Sequence, residues 1–237
     1  MTSYVFQCPA CGAPVTPKGS TAVLSCPYCQ AAIVVPVELR QTATHANWST
    51  LVYDGFVSNH NEWVVDNQTS EFFKPLTRII AEGRYRWDAK VGKASSISTV
   101  WLNAYPVTDF HLMANGKHIR GSRAGSSWGV AFRIQNNRNY YFFRMTDDRF
   151  FSVMLNENGQ WITLIAWGTT NTIKPNGVNQ LEVIGRKNQF TFLINGQTVG
   201  QMEDECFTSG RVGVAVEGYT VGEEISYDFL DFTLRAP

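Results

Sequence analysis

Residues 128–135 read Trp-Gly-Val-Ala-Phe-Arg-Ile-Gln, residues 139–146 Asn-Tyr-Tyr-Phe-Phe-Arg-Met-Thr, residues 150–155 Phe-Phe-Ser-Val-Met-Leu, and residues 160–167 Gln-Trp-Ile-Thr-Leu-Ile-Ala-Trp. These runs are rich in β-branched and aromatic residues. Between them lie Asn136-Asn137-Arg138, Asp147-Asp148-Arg149 and Asn156-Glu157-Asn158-Gly159, short polar segments of the kind that close hairpins. Side chains alternate across a strand, so Val130, Phe132 and Ile134 fall on one face, and Ala131, Arg133 and Gln135 on the other. In the next run Tyr141, Phe143 and Met145 match the apolar set, while Tyr140, Phe142 and Arg144 point the opposite way. The second face is mixed aromatic and basic. An antiparallel meander with one apolar face needs a second sheet to cover it. The expectation is an all-β, antiparallel β-sandwich.

Outward from this stretch the strand pattern continues. Upstream, residues 51–56, 62–65, 71–73, 78–82, 83–91, 99–102 and 109–113 read as strands, and the glycine- and serine-rich residues 118–127 as a long surface loop. Downstream, residues 178–185, 189–194, 197–199, 210–217 and 225–235 follow, with Asn195-Gly196 as a hairpin turn. In the last run, alternation groups Asp231 with Ile225, Tyr227 and Phe229, and Asp228 with Leu230, Phe232 and Leu234. Both faces are apolar, so at least one aspartate is withdrawn from water and needs a partner.

Gly129-Val-Ala-Phe-Arg133, Tyr140-Tyr-Phe-Phe-Arg144, Leu193-Ile-Asn-Gly-Gln197, Gly210-Arg-Val-Gly-Val214 and Asp228-Phe-Leu-Asp-Phe232 occur in that order. The order resembles the concanavalin A-like, laminin G-like jelly roll, in the branch related to the bacterial 3-keto-disaccharide hydrolase domains. The resemblance covers residues 48–235 and implies a sandwich domain over 48–237. Functions on this fold run from glycan binding through protein adhesion to glycoside hydrolysis, and fold alone does not choose among them. It also implies one candidate partner for Asp228 or Asp231, a structural Ca2+; an arginine or backbone amides are the others.

The N-terminal part is different. Cys8-Pro-Ala-Cys11 and Cys26-Pro-Tyr-Cys29 are two Cys-x-x-Cys pairs, separated by residues 12–25. Two intervening residues let the chain turn back so that both sulfurs reach one ion, and four thiolates suit a tetrahedral Zn2+. The arrangement resembles a zinc ribbon of two knuckles over residues 1–36, with Gln30 where the second knuckle often carries glycine. A redox dithiol reading lacks the βαβ context it needs. Residues 37–47 read as a linker. The only basic residue between Met1 and Leu39 is Lys18, too few for a phosphate-neutralising groove, so the ribbon is expected to be structural or protein-contacting.

The 237 residues carry 20 Lys plus Arg against 20 Asp plus Glu, a balance that argues against a nucleic-acid partner. No apolar run is long enough to span a bilayer, and the first residues show no basic leader or apolar signal core, so a cytoplasmic location is expected. Cys206 is expected to be a half-buried free thiol.

Hydrolysis needs two placed carboxylates. The Glu-x-Asp-x-x-Glu strand motif of the glucanases on this fold is absent. The acidic groups Asp147-Asp148, Glu203-Asp204-Glu205 and Glu223-Glu224 all fall at expected turns, where they would be solvated. His45, His60, His111 and His118 are scattered, and Gly121-Ser-Arg-Ala-Gly125 is not a nucleophile elbow. No catalytic centre is found. The expectation is a non-catalytic binding or assembly protein that takes a glycan or a protein through Arg133, Tyr140, Phe142 and Arg144. The same face is open to being covered by a loop, the ribbon or a second copy in a homo-oligomer. The alternative is a glycoside hydrolase whose carboxylates converge only in three dimensions.

Overall fold

The structure is a computed structural model that describes residues 6–16, 23–35, 48–102 and 106–237. The expected linker and His45 lie outside the described residues. The chain divides into two compact units, residues 1–49 with Pro237 and residues 50–236.

In the first unit β1 (Phe6–Gln7) pairs with β2 (Pro14–Val15), and β3 (Val23–Ser25) with β4 (Ala32–Val34). Its small interior holds Cys8, Val15, Cys26 and Ile33.

The second unit is two antiparallel sheets. The six-stranded sheet contains β9 (Ser96–Trp101), β11 (Ser126–Asn136), β12 (Asn139–Met145), β13 (Phe150–Glu157), β14 (Gln160–Thr169) and β18 (Arg211–Gly218), ordered β14-β13-β12-β11-β18-β9. The nine-stranded sheet contains β5 (Ser49–Asp54), β6 (Asp66–Gln68), β7 (Phe73–Ala81), β8 (Arg84–Val91), β10 (Phe110–Arg120), β15 (Asn179–Arg186), β16 (Gln189–Ile194), β17 (Gln197–Glu203) and β19 (Glu224–Ala236). Its order is β17-β16-β15-β10-β19-β8-β7-β6, with β5 also pairing β19. The described residues contain no helix, so none is long and apolar enough to cross a membrane.

The inner faces meet through aromatic side chains. Phe110 of β10 lies 5.8 Å from Phe132 of β11, Trp128 lies 5.7 Å from Phe229, and Phe143 lies 5.0 Å from Phe192. Truncating any one fully buried ring to alanine is worth about 3–5 kcal/mol, so this seam carries much of the unit's stability.

The meander over 126–169 forms its four expected strands, with turns between Asn136 and Asn139, Met145 and Phe150, and Glu157 and Gln160. Elsewhere the structure corrects the reading. Residues 71–82 are not two strands: β7 runs unbroken through Lys74-Pro75, and the register shift between Phe73 and Leu76 absorbs the proline, which has no N–H to give the ladder. Residues 62–65 are irregular; Trp63 is buried there because its indole N–H, the amide of Phe56 and Asn61 all donate to the Asp54 carboxylate. Residues 118–127 are not one loop. β10 continues to Arg120 and β11 begins at Ser126, leaving only 121–125 between them.

Two bulges matter more, because a single extra residue moves every later side chain to the opposite face. In β19 the register steps from Phe229 to Asp231, skipping Leu230. Ile225, Tyr227, Phe229, Phe232 and Leu234 therefore all reach the core, and Asp228 and Asp231 share the outer face instead of lying on opposite ones. Asp228 is paired with Arg86 through two bonds of 2.7 Å, and both Asp231 oxygens accept from Asn115. Of the expected partners, arginine is the one present at Asp228.

The second bulge is in β11. Arg133 takes φ 49°, and the pairing slips between Phe132 and Asn136 toward β12 and between Ala131 and Ile134 toward β18. Gly210 presses on this point, since a Cβ there would lie 2.4 Å from the Arg133 carbonyl carbon. Ile134 consequently turns to the outer face and Arg133 to the inner side.

Candidate functional site

The four cysteines form one candidate site. Sγ of Cys8 lies 3.8 Å from that of Cys29, and Cys11 the same distance from Cys26. All four sulfurs lie within 4.8 Å of one another, so they could hold a metal ion. The two knuckles are superposable in their bonding. Gly12 N donates to Cys8 O at 2.8 Å and Gln30 N to Cys26 O at 2.9 Å, with Gly12 at φ 71° and Gln30 at φ 61°. Gln30 thus adopts the left-handed conformation in which glycine is common. Amides of Cys29 and Tyr28 favour the Cys26 thiolate and bring that thiol down to about 7. Among the described residues, no other group of three or more His, Cys, Asp or Glu side chains lies close enough for a metal.

The outer face of the six-stranded sheet is the second. Tyr140, Phe142 and Arg144 share it, as alternation requires, but Arg133 does not join them. Its guanidinium is fully buried, 4.6 Å from the ring centroid of Phe190, and donates to the carbonyls of Thr108, Lys187 and Phe207. Burial presses its pKa below the ordinary arginine value. Three carbonyls take its terminal nitrogens and leave Nε buried without a partner, and the side chain lies away from that outer face.

The remaining three are not an exposed patch either. Tyr140, Phe142 and Arg144 are 3 %, 0 % and 6 % exposed. The central strands carry small outer residues, Gly129 and Ala131 on β11 and Gly213 and Ala215 on β18, so larger neighbours lie down across them. Gly129 has no room for a side chain, since a Cβ would come within 2.8 Å of the Phe142 ring. Tyr140, Phe142, Ala131, Ile134 and Ala215 form a small outer core with Ile97 and Trp101 against it. Trp161 of β14 meets Tyr140 edge-on at 5.6 Å.

The other end of the face is polar. Arg144 donates from Nε to Ser152 Oγ at 2.8 Å and from Nη1 to Glu217, which also accepts from Ser127 Oγ at 3.2 Å. The Arg144 guanidinium lies 4.4 Å from the ring centroid of Trp167, which meets Tyr219 edge-on. Arg144, Glu217, Trp167 and Tyr219, together with Asp148 and Phe150, line a cavity of about 500 Å³. Phe150, Trp161 and Trp167 remain 37–43 % exposed along its side of the sheet. Two carboxylates reach the cavity, but each is engaged: Glu217 by Arg144 and Ser127, Asp148 by the Thr146 hydroxyl.

Asp147, expected to be solvated, is only 3 % exposed, because residues 121–125 and 174–177 close over it. Cys206 is exposed, not half-buried; its Sγ lies 3.5 Å from Glu157 Oε1, and burial first, then that carboxylate, push the thiol up to about 11. Trp161, Trp167 and Glu217 escaped the sequence reading as site residues. The signal available was that Trp161 and Trp167 lie on the edge run of the meander, where two tryptophans have no second neighbour to cover them.

No protein-family model and no curated protein matches the chain. Solved structures do. The carbohydrate-binding module CBM66 from Bacillus subtilis is 17 % identical at a TM-score of 0.52, over 80 % of this chain and 95 % of that one. A Bacillus licheniformis β-glucanase is 8 % identical at 0.59, over 81 % and 100 %. A Bacillus subtilis protein of unknown function with a galectin-like fold is 10 % identical at 0.56, over 79 % and 96 %. At these identities the likeness is one of fold, the concanavalin A/galectin-like β-sandwich.

Proposed function

We propose that the chain is a non-catalytic glycan-binding module, taking its ligand on the outer face of the six-stranded sheet, with a structural Zn(Cys)4 ribbon ahead of it. The observation that carries this reading is the pairing of Trp167 with Arg144 and Glu217 at the cavity. Sugar rings offer an apolar C–H face and a rim of hydroxyls. A half-exposed indole packs against the first, and the charged Arg144–Glu217 pair that lines the cavity faces the second. Trp161, six residues along the same strand, offers a second ring, which suits an oligosaccharide. Likeness of fold to a carbohydrate-binding module and a galectin-like protein supports the same class.

Zinc rests on the donor set and its size. A tetrahedron with Zn–S of about 2.3 Å has S···S edges of about 3.8 Å, and two of the sulfur pairs are at 3.8 Å. A unit this small buries too little to fold without the ion. No charged side chain falls among its described residues, 6–16 and 23–35, which favours a staple or protein contact over nucleic acid.

A protein partner or a second copy on the same face, and glycoside hydrolysis as in the 3-keto-disaccharide hydrolase-related branch, are the competing outcomes of the test, and a cytoplasmic location is part of the proposal. A broad glycan array with the full chain, run with calcium and with a calcium-selective chelator, tests the reading. Saturable binding lost in Trp167→Ala supports it. A blank array under both conditions sinks it and directs the search to protein partners. Release of reducing sugar would replace it with the hydrolase.

A further inference from the structure

The loops beside the cavity are fastened by one buried carboxylate. Both oxygens of Asp147 accept from the backbone N–H of Asn176 at 3.0 Å, and its own N–H donates to Arg123 O at 3.1 Å. Arg123 Nε lies 3.6 Å from Oδ2, and His118 Nδ1 of β10 lies 3.7 Å from it. Residues 121–125, 146–149 and 174–177 and a strand of the opposite sheet thus converge on one side chain. Its sequence neighbours Thr146 and Asp148 line the cavity, as does Ala124 beside Arg123.

His118 is the unusual member. It is 8 % exposed, its ring lies 5.2 Å from that of Tyr227, and Nε2 has no hydrogen-bond partner. A neutral ring tolerates this, because a proton on Nδ1 faces Asp147 and Nε2 is left bare. A second proton, on Nε2, would create a buried donor without an acceptor, which is unfavourable even before the charge is counted. The groups facing the ring are Asp147, Glu223 and Arg123 from the loops, the Arg120 backbone on its own strand, and the Tyr227 hydroxyl, already bonded to Ser126. Burial outweighs the attraction of Asp147 and lowers the His118 pKa. A lowered histidine pKa means the folded state refuses a proton that the unfolded chain accepts, so the stability it contributes is full above the ordinary value and is lost as pH falls below it.

We propose that Asp147 is the positioning residue of the binding face, and that protonation of His118 draws on its carboxylate, loosens the three loops and weakens ligand binding. The ligand part rests on the glycan reading above; the fastening does not.

The test is a pH titration of the full chain by NMR, from about pH 7.5 to 5.0, following the His118 ring and the backbone amides of Asn176 and Arg123. Binding of neutral glucan, xylan, mannan and fructan hexasaccharides is measured over the same range. His118→Asn keeps an N–H near the Nδ1 position and cannot take a proton. The expected result is that the Asn176 amide shifts with the His118 ring in the wild type and stays flat in the variant. Any hexasaccharide that binds should weaken by about tenfold, the equivalent of about 1.4 kcal/mol, in the wild type and less than about twofold in His118→Asn. An Asn176 amide that ignores the His118 titration, or a variant that keeps the wild-type pH profile, overturns the proposal. If no hexasaccharide binds at any pH, the glycan reading falls, and the Asn176 amide alone decides the fastening. Asp147→Asn is a second variant, expected to shift both loop amides at every pH.

Discussion

The Arg144 guanidinium is held between the Trp167 ring, 4.4 Å away, and the carboxylate of Glu217, which reaches it across the intervening strand β11. One side of this arrangement is structural and the other faces the cavity, so the two kinds of substitution separate. Arg144→Ala leaves a buried, unpaired Glu217 and should cost about 3–5 kcal/mol. Trp167→Ala removes a half-exposed ring and should cost about 1 kcal/mol while abolishing glycan binding. Urea denaturation beside the array separates the effects; equal destabilisation by both would count against the assignment.

Gly210→Ala tests the origin of the β11 bulge. The new methyl would stand 2.4 Å from backbone of Arg133, so the strand must shift. A loss of about 1–3 kcal/mol is expected, read by calorimetry as a fall in Tm of about 2–4 °C per kcal/mol. An unchanged Tm would mean that the bulge yields freely.

Metal analysis of the full chain should find one zinc per chain, and none in Cys8→Ser. Thiolates, not thiols, bind the ion, so affinity rises with pH and zinc is released on acidification. Retention of stoichiometric zinc by Cys8→Ser would contradict a single four-cysteine site.

Cys206 is exposed yet has its thiol pushed up to about 11. At pH 8 its thiolate fraction is small, and alkylation should run roughly a hundredfold slower than for an ordinary cysteine. Glu157→Gln removes the neighbouring charge and should accelerate it. A wild-type rate equal to that of a free thiol would show the carboxylate has no hold on the sulfur.

At Asp228 the arginine pair predicts that calcium has nothing to add. Arg86→Ala should destabilise the sandwich by about 1–3 kcal/mol, and millimolar Ca2+ should leave the wild-type Tm unchanged. A rise in Tm with calcium would point to a site involving Asp228 after all.

The sequence by itself determined the elements whose causes are local. Hairpins such as Asn139–Met145 with Phe150–Glu157 follow from a period of two between polar turns, and the cluster of four cysteines follows from two short spacings. The placement of Tyr140, Phe142 and Arg144 on one face belongs to the same class, because β12 contains no bulge. What only the tertiary structure decided lies where that period breaks or where distant segments close over a side chain. Arg133 left the candidate face because Gly210, far along the chain, presses its backbone into a bulge. Asp228 and Asp231 came to one face because Leu230 is skipped. Asp147 was buried by Arg123 and Asn176 arriving from two other loops. Alternation is a property of neighbouring residues, whereas a bulge or a buried carboxylate is set by backbone contacts between residues that no local pattern relates.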